Sequence, residues 1–300
     1  MSITSIRESS GASRPKVTVQ TIQEMKQRGE RITCLTAYDY PTARLVDEAG
    51  AQMVLVGDSL AMVVLGHENT MAVSMDEMLH HTRAARRGTR SALLIADMPY
   101  GSYHLSAEDG VRNASRFVKE AGAEAVKIEG GQKRAELISR LRDAEIPVMG
   151  HIGLTPQSLH AMGGFKVQGK SLAAVEQLMK DAVAVERAGA FSLVLEGIPR
   201  EVAALITAEL RIPTIGIGAG PECDGQVLVL HDLLNLSFAP PAKFVRQYGD
   251  AAALIRQAVE RFKNDIETGA YPGDQESYHV PAETRAALET IAVRKRSLAR

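Results

Sequence analysis

The chain has 300 residues, 45% hydrophobic and 24% charged, a globular composition with enough apolar material for one large core. Its 35 Lys and Arg against 36 Asp and Glu leave a net charge of −1, which offers no general attraction for nucleic acid or an anionic membrane and favours a small-molecule partner. Cys34 and Cys223 form no CxxC or Cys/His pattern, so neither a disulfide framework nor a zinc site is suggested, and no stretch reaches the roughly 18 uninterrupted apolar residues of a membrane span.

Residues 1–16 lack the apolar core of a signal peptide and are expected to form a disordered leader on a cytoplasmic protein, with 17–300 as a single domain. "TVQTIQEMKQRG" (18–29) has helical period and is placed under the floor of the fold. Seven short apolar runs rich in β-formers then follow: 31–39, 51–59, 91–99, 124–131, 146–155, 191–199 and 212–220. Segments of helical period separate them, such as "SAEDGVRNASRFVKEAGA" and "SLAAVEQLMKDAVAVERAGA", several closing on the Gly that commonly ends a helix. Alternating strands and helices imply a parallel sheet. Strands apolar on both faces place that sheet between two layers, as in a doubly wound sheet or a (β/α)8 TIM barrel.

An eighth strand is harder to place. "CDGQVLVLHDLLNL" (223–236) looks like a strand but follows the seventh too closely for a parallel crossover, which usually needs a dozen or more residues. It is therefore read as the connecting helix, 224–235 with Asp224 as its N-cap, and the eighth strand is expected at "KFVRQY" (243–248). Two amphipathic helices after residue 250 are expected to pack behind the barrel.

A barrel of this kind carries its chemistry at the C-terminal ends of the strands. Asp39, Asp58, Ser59, Asp97, Lys127, Glu129, His151 and Glu196 all fall there, each with the alternative of capping the next helix or closing a turn. Lys127 and Glu129 are two apart, so they share a face, either as an internal ion pair or as an anion contact and a cation ligand. Asp58, Asp97 and Glu129, with no clustered His or Cys, suit a hard ion bound through oxygen, with Mg²⁺ as the first candidate. "GIGAG" (216–220) has the look of a phosphate cradle but is not GxGxxG, the alternative being that its small residues only let the backbone pass close to a ligand or a helix. The Gly-rich loop 153–171 is either a mobile cover or a solvated connector.

"VGDSLAMVVLGHENT", "ADMPYGSY", "VKIEGG", "GHIGLTPQS", "FKVQGK", "LEGIP", "IGIGAGPECDGQVLVLHD" and "GAYPGDQESYH", in this order and spacing, resemble the ketopantoate hydroxymethyltransferase family from about residue 17 to about 280. The resemblance implies a (β/α)8 barrel with an extra N-terminal helix and C-terminal helices. It implies transfer of a one-carbon unit from 5,10-methylenetetrahydrofolate to 3-methyl-2-oxobutanoate, giving 2-dehydropantoate in pantothenate and coenzyme A synthesis. By matching motifs, Asp58 and Asp97 are similar to Mg²⁺ ligands that also hold the substrate, and Glu129 to the third acidic member. Ser59, Lys127 and His151 are expected to line the substrate pocket, and Glu196 to accept the proton. Ala61 stands where many relatives have Gly, beside the substrate loop. A homodecamer of two stacked pentamers is implied as well. The 2-oxo acid would chelate the metal, which stabilises charge on the ketone oxygen as the C3 proton leaves. Two other readings are a Mg²⁺-dependent carbon–carbon lyase of the phosphoenolpyruvate mutase or isocitrate lyase type, which would need a reactive loop Cys, and a barrel that only senses a 2-oxo acid, which would lack Glu196.

Overall fold

A computed structural model describes residues 14–288. In chain order the elements are α1 (Val19–Gln27), β1 (Ile32–Thr36), α2 (Tyr40–Glu48), β2 (Met53–Val56), α3 (Leu60–Val63), α4 (Met75–Gly88), β3 (Leu93–Asp97), α5 (Ala107–Ala121), β4 (Ala125–Glu129) and α6 (Ala135–Asp143). They continue with β5 (Val148–Gly153), α7 (Leu159–Met162), α8 (Leu172–Ala188), β6 (Ser192–Glu196), α9 (Arg200–Glu209), β7 (Thr214–Ile217), β8 (Gly225–Leu228), α10 (Leu230–Leu233) and α11 (Ala251–Glu267). The eight strands close, all parallel, into the expected barrel.

Local sequence explains the long helices. Ser74 opens α4 with a capping box, its hydroxyl taking the Glu77 N–H while Glu77 takes the Ser74 N–H. Ser106 caps α5, which ends where Gly122 turns left-handed at φ 71°. Strands β2 to β5 are buried along their whole length, and their alternate side chains divide between two apolar clusters. Met53, Leu55, Leu93, Ile95 and Met149 fill the barrel, where Ile22 and Met25 of α1 join them as the expected floor. Val54, Leu94, Val126 and Ile128 face outward beneath the helices.

The eighth strand differs from expectation. Residues 243–248 contain no strand, and β8 lies at Gly225–Leu228, paired with β7 (Ile215↔Gly225) and with β1 (Ile32↔Gly225). The expected helix 224–235 shrinks to the single turn of α10. Seven residues, 218–224, make the crossover without a helix; a chain of that length reaches roughly 23 Å, ample to run back beside a four-residue strand of about 13 Å. Asp224 caps nothing. Its carboxylate instead accepts the Thr214 N–H at 2.8 Å and Lys26 Nζ at 2.9 Å, pinning the short crossover to β7 and to the floor helix.

The chain divides into two compact units, one ending at Gly249 and the other beginning at Asp250. The second contains α11, opened by Asp250 on the Ala253 N–H, and a helical stretch over 282–288. The rest of the expected last helix lies outside the described residues, as do positions 1–13 of the leader. Among the described residues, no helix is long and apolar enough to cross a membrane.

Candidate active site

Asp58 and Ser59 follow β2, Asp97 ends β3, Lys127 and Glu129 belong to β4, His151 to β5, and Glu196 ends β6. All seven line one cavity of about 260 Å³ at the C-terminal mouth of the barrel. Strand register brings them together. Asp97 is level with Lys127 and Glu129 with His151, so two inward-facing positions of β4 meet one partner on each side. Asp39, also at a strand end, is a helix cap whose carboxylate accepts the Thr42 N–H at 2.8 Å.

Lys127 Nζ lies 2.7 and 2.6 Å from the two oxygens of Asp97, with both side chains buried. Burial opposes the ammonium charge, but Asp97, Glu129 and Asp58 outweigh it and raise the lysine pKa. Asp58 is pushed well above the usual carboxylate range, first by burial and then by the charges of Asp97 and Glu129. His151 sits between two carboxylates, Nδ1 3.4 Å from Glu129 Oε1 and Nε2 3.2 Å from Glu196 Oε2. These are charge contacts without hydrogen-bond alignment, since Glu129 Oε1 and His151 Nε2 are buried with no hydrogen-bond partner. Burial and Lys127 push the imidazole pKa down, yet the two carboxylates prevail and bring it up to about 9. Glu129 is lowered: burial opposes its charge, but His151, Lys127 and the Gln157 N–H prevail.

Four carboxylates thus face two cationic groups, an excess of negative charge in a buried site. Among the described residues, no three His, Cys, Asp or Glu side chains are grouped as a ready-made metal cage. The expected trio is divided: Asp97 is engaged by Lys127, and Glu129 Oε2 accepts the Gln157 N–H at 3.0 Å. The donor set still fits Mg²⁺, which needs only one or two carboxylates and completes its octahedron with water and substrate oxygens. The uncompensated charge and the orphaned Glu129 Oε1 are what such a cation would neutralise.

Two residues of the site escape sequence reading. Gln157, in the loop expected to be a cover or a connector, is buried; its Nε2 donates to Asp58 Oδ2 and to the Met98 carbonyl, both at 2.9 Å. Its Oε1 accepts from the Tyr103 hydroxyl at 2.6 Å, and that hydroxyl accepts the Glu129 N–H at 3.1 Å. Gln157 and Tyr103 therefore tie the ends of β2, β3 and β4 together. Their motifs, "GLTPQS" and "ADMPYGSY", mark turns and carry no signal of burial. Ser59 is oriented by the Tyr38 hydroxyl at 2.9 Å. "GIGAG" is no phosphate cradle in form: Gly218, at φ 62°, lies under the Phe244 ring, where a Cβ would come within 2.6 Å of Cδ1.

Residues 16–274 match the family model described as ketopantoate hydroxymethyltransferase. The chain is 67% identical over 288 residues to a 3-methyl-2-oxobutanoate hydroxymethyltransferase of Koribacter versatilis, covering 96% of this chain and 98% of the relative. It is 55% identical over 266 residues to the protein of the same name in Pelobacter propionicus, covering 89% and 98%. Among solved structures it resembles 2,3-dimethylmalate lyase, a member of the PEP mutase/isocitrate lyase superfamily, with TM-score 0.56 and 19% identity over 95% of this chain and all of that one. Phosphonopyruvate hydrolase in complex with oxalate and Mg²⁺ is similar at TM-score 0.54 and 19% identity, covering 93% and 99%. Such distant structures speak for the barrel alone, whereas the family match and the close relatives span most of the chain: it belongs to the ketopantoate hydroxymethyltransferase family.

Proposed function

We propose that the chain transfers a hydroxymethyl group from 5,10-methylenetetrahydrofolate to 3-methyl-2-oxobutanoate, forming 2-dehydropantoate for pantothenate synthesis. The observation that carries this reading is the division of labour among the buried acids. Asp97 is tied to Lys127 and Asp58 to Gln157, whereas Glu196 stands apart across His151. Asp58 and Asp97, with Glu129 as the third acid, would hold Mg²⁺, which when bound supplies positive charge beside the ketone oxygen as C3 loses its proton. Lys127 and Ser59 hold the substrate carboxylate end. Glu196 takes the C3 proton, and His151, with Nε2 3.2 Å from Glu196 Oε2, holds that side chain in place at the cavity wall. The deprotonated C3 then bonds to the methylene carbon as one of its two C–N bonds breaks, water supplies the hydroxyl as the second C–N bond breaks, and tetrahydrofolate leaves with the C3 proton and one proton of the water on its freed nitrogens.

A lyase of the related barrels would call on a reactive thiol. Cys34 and Cys223 are buried; burial pushes the Cys34 thiol up to about 12 and raises that of Cys223, so neither is held as a thiolate. The test is Glu196→Gln, which keeps shape and hydrogen bonding. It should still bind Mg²⁺ and 3-methyl-2-oxobutanoate, yet lose C3 proton exchange with D₂O and hydroxymethyl transfer by roughly 10² or more. Exchange at the wild-type rate would assign the proton to another group. We also infer a cytoplasmic homodecamer of two stacked pentamers, supported by the family resemblance and by the exposed Ile255, Val259, Phe262 and Ile266 of α11. A monomeric mass by light scattering would refute it.

A further inference from the structure

The cavity holding the charged cluster is also lined by Phe165, Phe244, Thr70 and Asp232, none of which the chemistry of the oxo acid uses. Phe165 and Phe244 are 54% and 40% exposed, aromatic rings left half in water at the wall of a cavity. The Phe244 ring is let into place by the missing side chain of Gly218, which gives the "GIGAG" motif a purpose other than phosphate binding. Thr70 Oγ1 is buried without a hydrogen-bond partner. Asp232 makes no ion pair among the described residues; its Oδ1 accepts from the Ser237 hydroxyl at 2.5 Å.

Two half-exposed aromatic rings and a carboxylate lining one cavity suit a flat, polar heterocycle with adjacent N–H donors. We propose that this wall binds the reduced pterin of the one-carbon donor. The ring system stacks on Phe165 and Phe244, and Asp232 accepts from the 2-amino group and N3–H of the pyrimidinone half. Thr70 offers a further hydroxyl. This placement rests on the hydroxymethyl-transfer reading above, which requires the donor methylene and C3 of the oxo acid to meet in one cavity.

The experiment measures tetrahydrofolate binding by calorimetry to the full chain and to Asp232→Asn and Phe244→Ala, together with the folate-free exchange of the C3 proton of 3-methyl-2-oxobutanoate. Asp232→Asn should weaken tetrahydrofolate about tenfold to a hundredfold, as expected for loss of charge-assisted hydrogen bonds. Phe244→Ala should weaken it about tenfold. In both, C3 exchange should remain within about twofold. A 2-desamino-2-methyl analogue of tetrahydrofolate should bind the wild type more weakly than tetrahydrofolate, and Asp232→Asn should lose that discrimination. If Asp232→Asn and the wild type bind tetrahydrofolate equally while the wild type exchanges the C3 proton, the placement is overturned and the reaction stands. If the wild type neither exchanges that proton nor binds tetrahydrofolate, the reaction itself is overturned and the placement with it.

Discussion

Gln157→Ala isolates the part of the site that positions rather than reacts. The substitution deletes the donors to Asp58 Oδ2 and the Met98 carbonyl and the acceptor of the Tyr103 hydroxyl, and leaves the Gln157 N–H on Glu129 in place. A hydrogen bond to a charged acceptor contributes about 1.5–3 kcal/mol, and each buried partner left unsatisfied costs about 1–3 kcal/mol. The site is polar, so water entering the vacated space restores much of that hydrogen bonding, and the stability loss should stay near 2 kcal/mol. Water does not restore the position of Asp58. The Gln157 donor also opposes the rise of the Asp58 pKa, so its removal drives that carboxyl further toward the neutral form. Mg²⁺-dependent binding of 3-methyl-2-oxobutanoate should therefore fall about tenfold to a hundredfold, with the deficit growing as pH falls, while the melting temperature drops only a few degrees. Calorimetric titration of the oxo acid at several pH values, alongside thermal unfolding, measures both effects. Oxo-acid affinity within twofold of wild type across that range would refute the positioning role.

Asp58→Ala should hold or raise the melting temperature without Mg²⁺, because it removes a buried carboxylate repelled by Asp97 and Glu129, yet it should abolish Mg²⁺-dependent oxo-acid binding; a marked drop in metal-free stability would contradict this. Lys127→Met should destabilise the fold by about 3–5 kcal/mol by leaving Asp97 buried without its partner, a loss that denaturant unfolding would register and that Asp97→Asn in the same chain should partly reverse. His104, beside Tyr103, is held down to about 4 by burial first and then by Arg134 and Lys133. Its folded pKa lies below the unfolded value of about 6.5, so the fold binds fewer protons there, and its contribution is full above that pH and lost as pH falls toward 4. His104→Gln should flatten the stability profile over that interval.

Strands such as β2, β3 and β6 were legible because a strand buried on both faces is largely apolar, so "MVLV", "LLIAD" and "SLVLE" announce themselves and the acids at their ends stand out. The side chains of the charged cluster were legible for the same reason: a polar group closing an apolar strand has few bland explanations when six strands repeat the pattern. Asp39 shows where that logic fails, since a helix cap uses the same residue in the same place. Tertiary structure alone decided β8. Gly225–Leu228 lie in a stretch that looks like a strand, but the usual length of a parallel crossover argued against it; they are a strand because the seven-residue crossover suffices for so short a strand and β7 and β1 offer hydrogen-bonding edges on both sides once the barrel closes. Gln157 and Tyr103 were hidden for a related reason. Their sequence setting is that of turns, and burial comes from a loop folding back over strand ends far away in the chain, so that Gln157 meets Asp58 across 99 positions. Periodicity records which face of an element avoids water, but it holds no record of which distant carboxylate a side chain will meet.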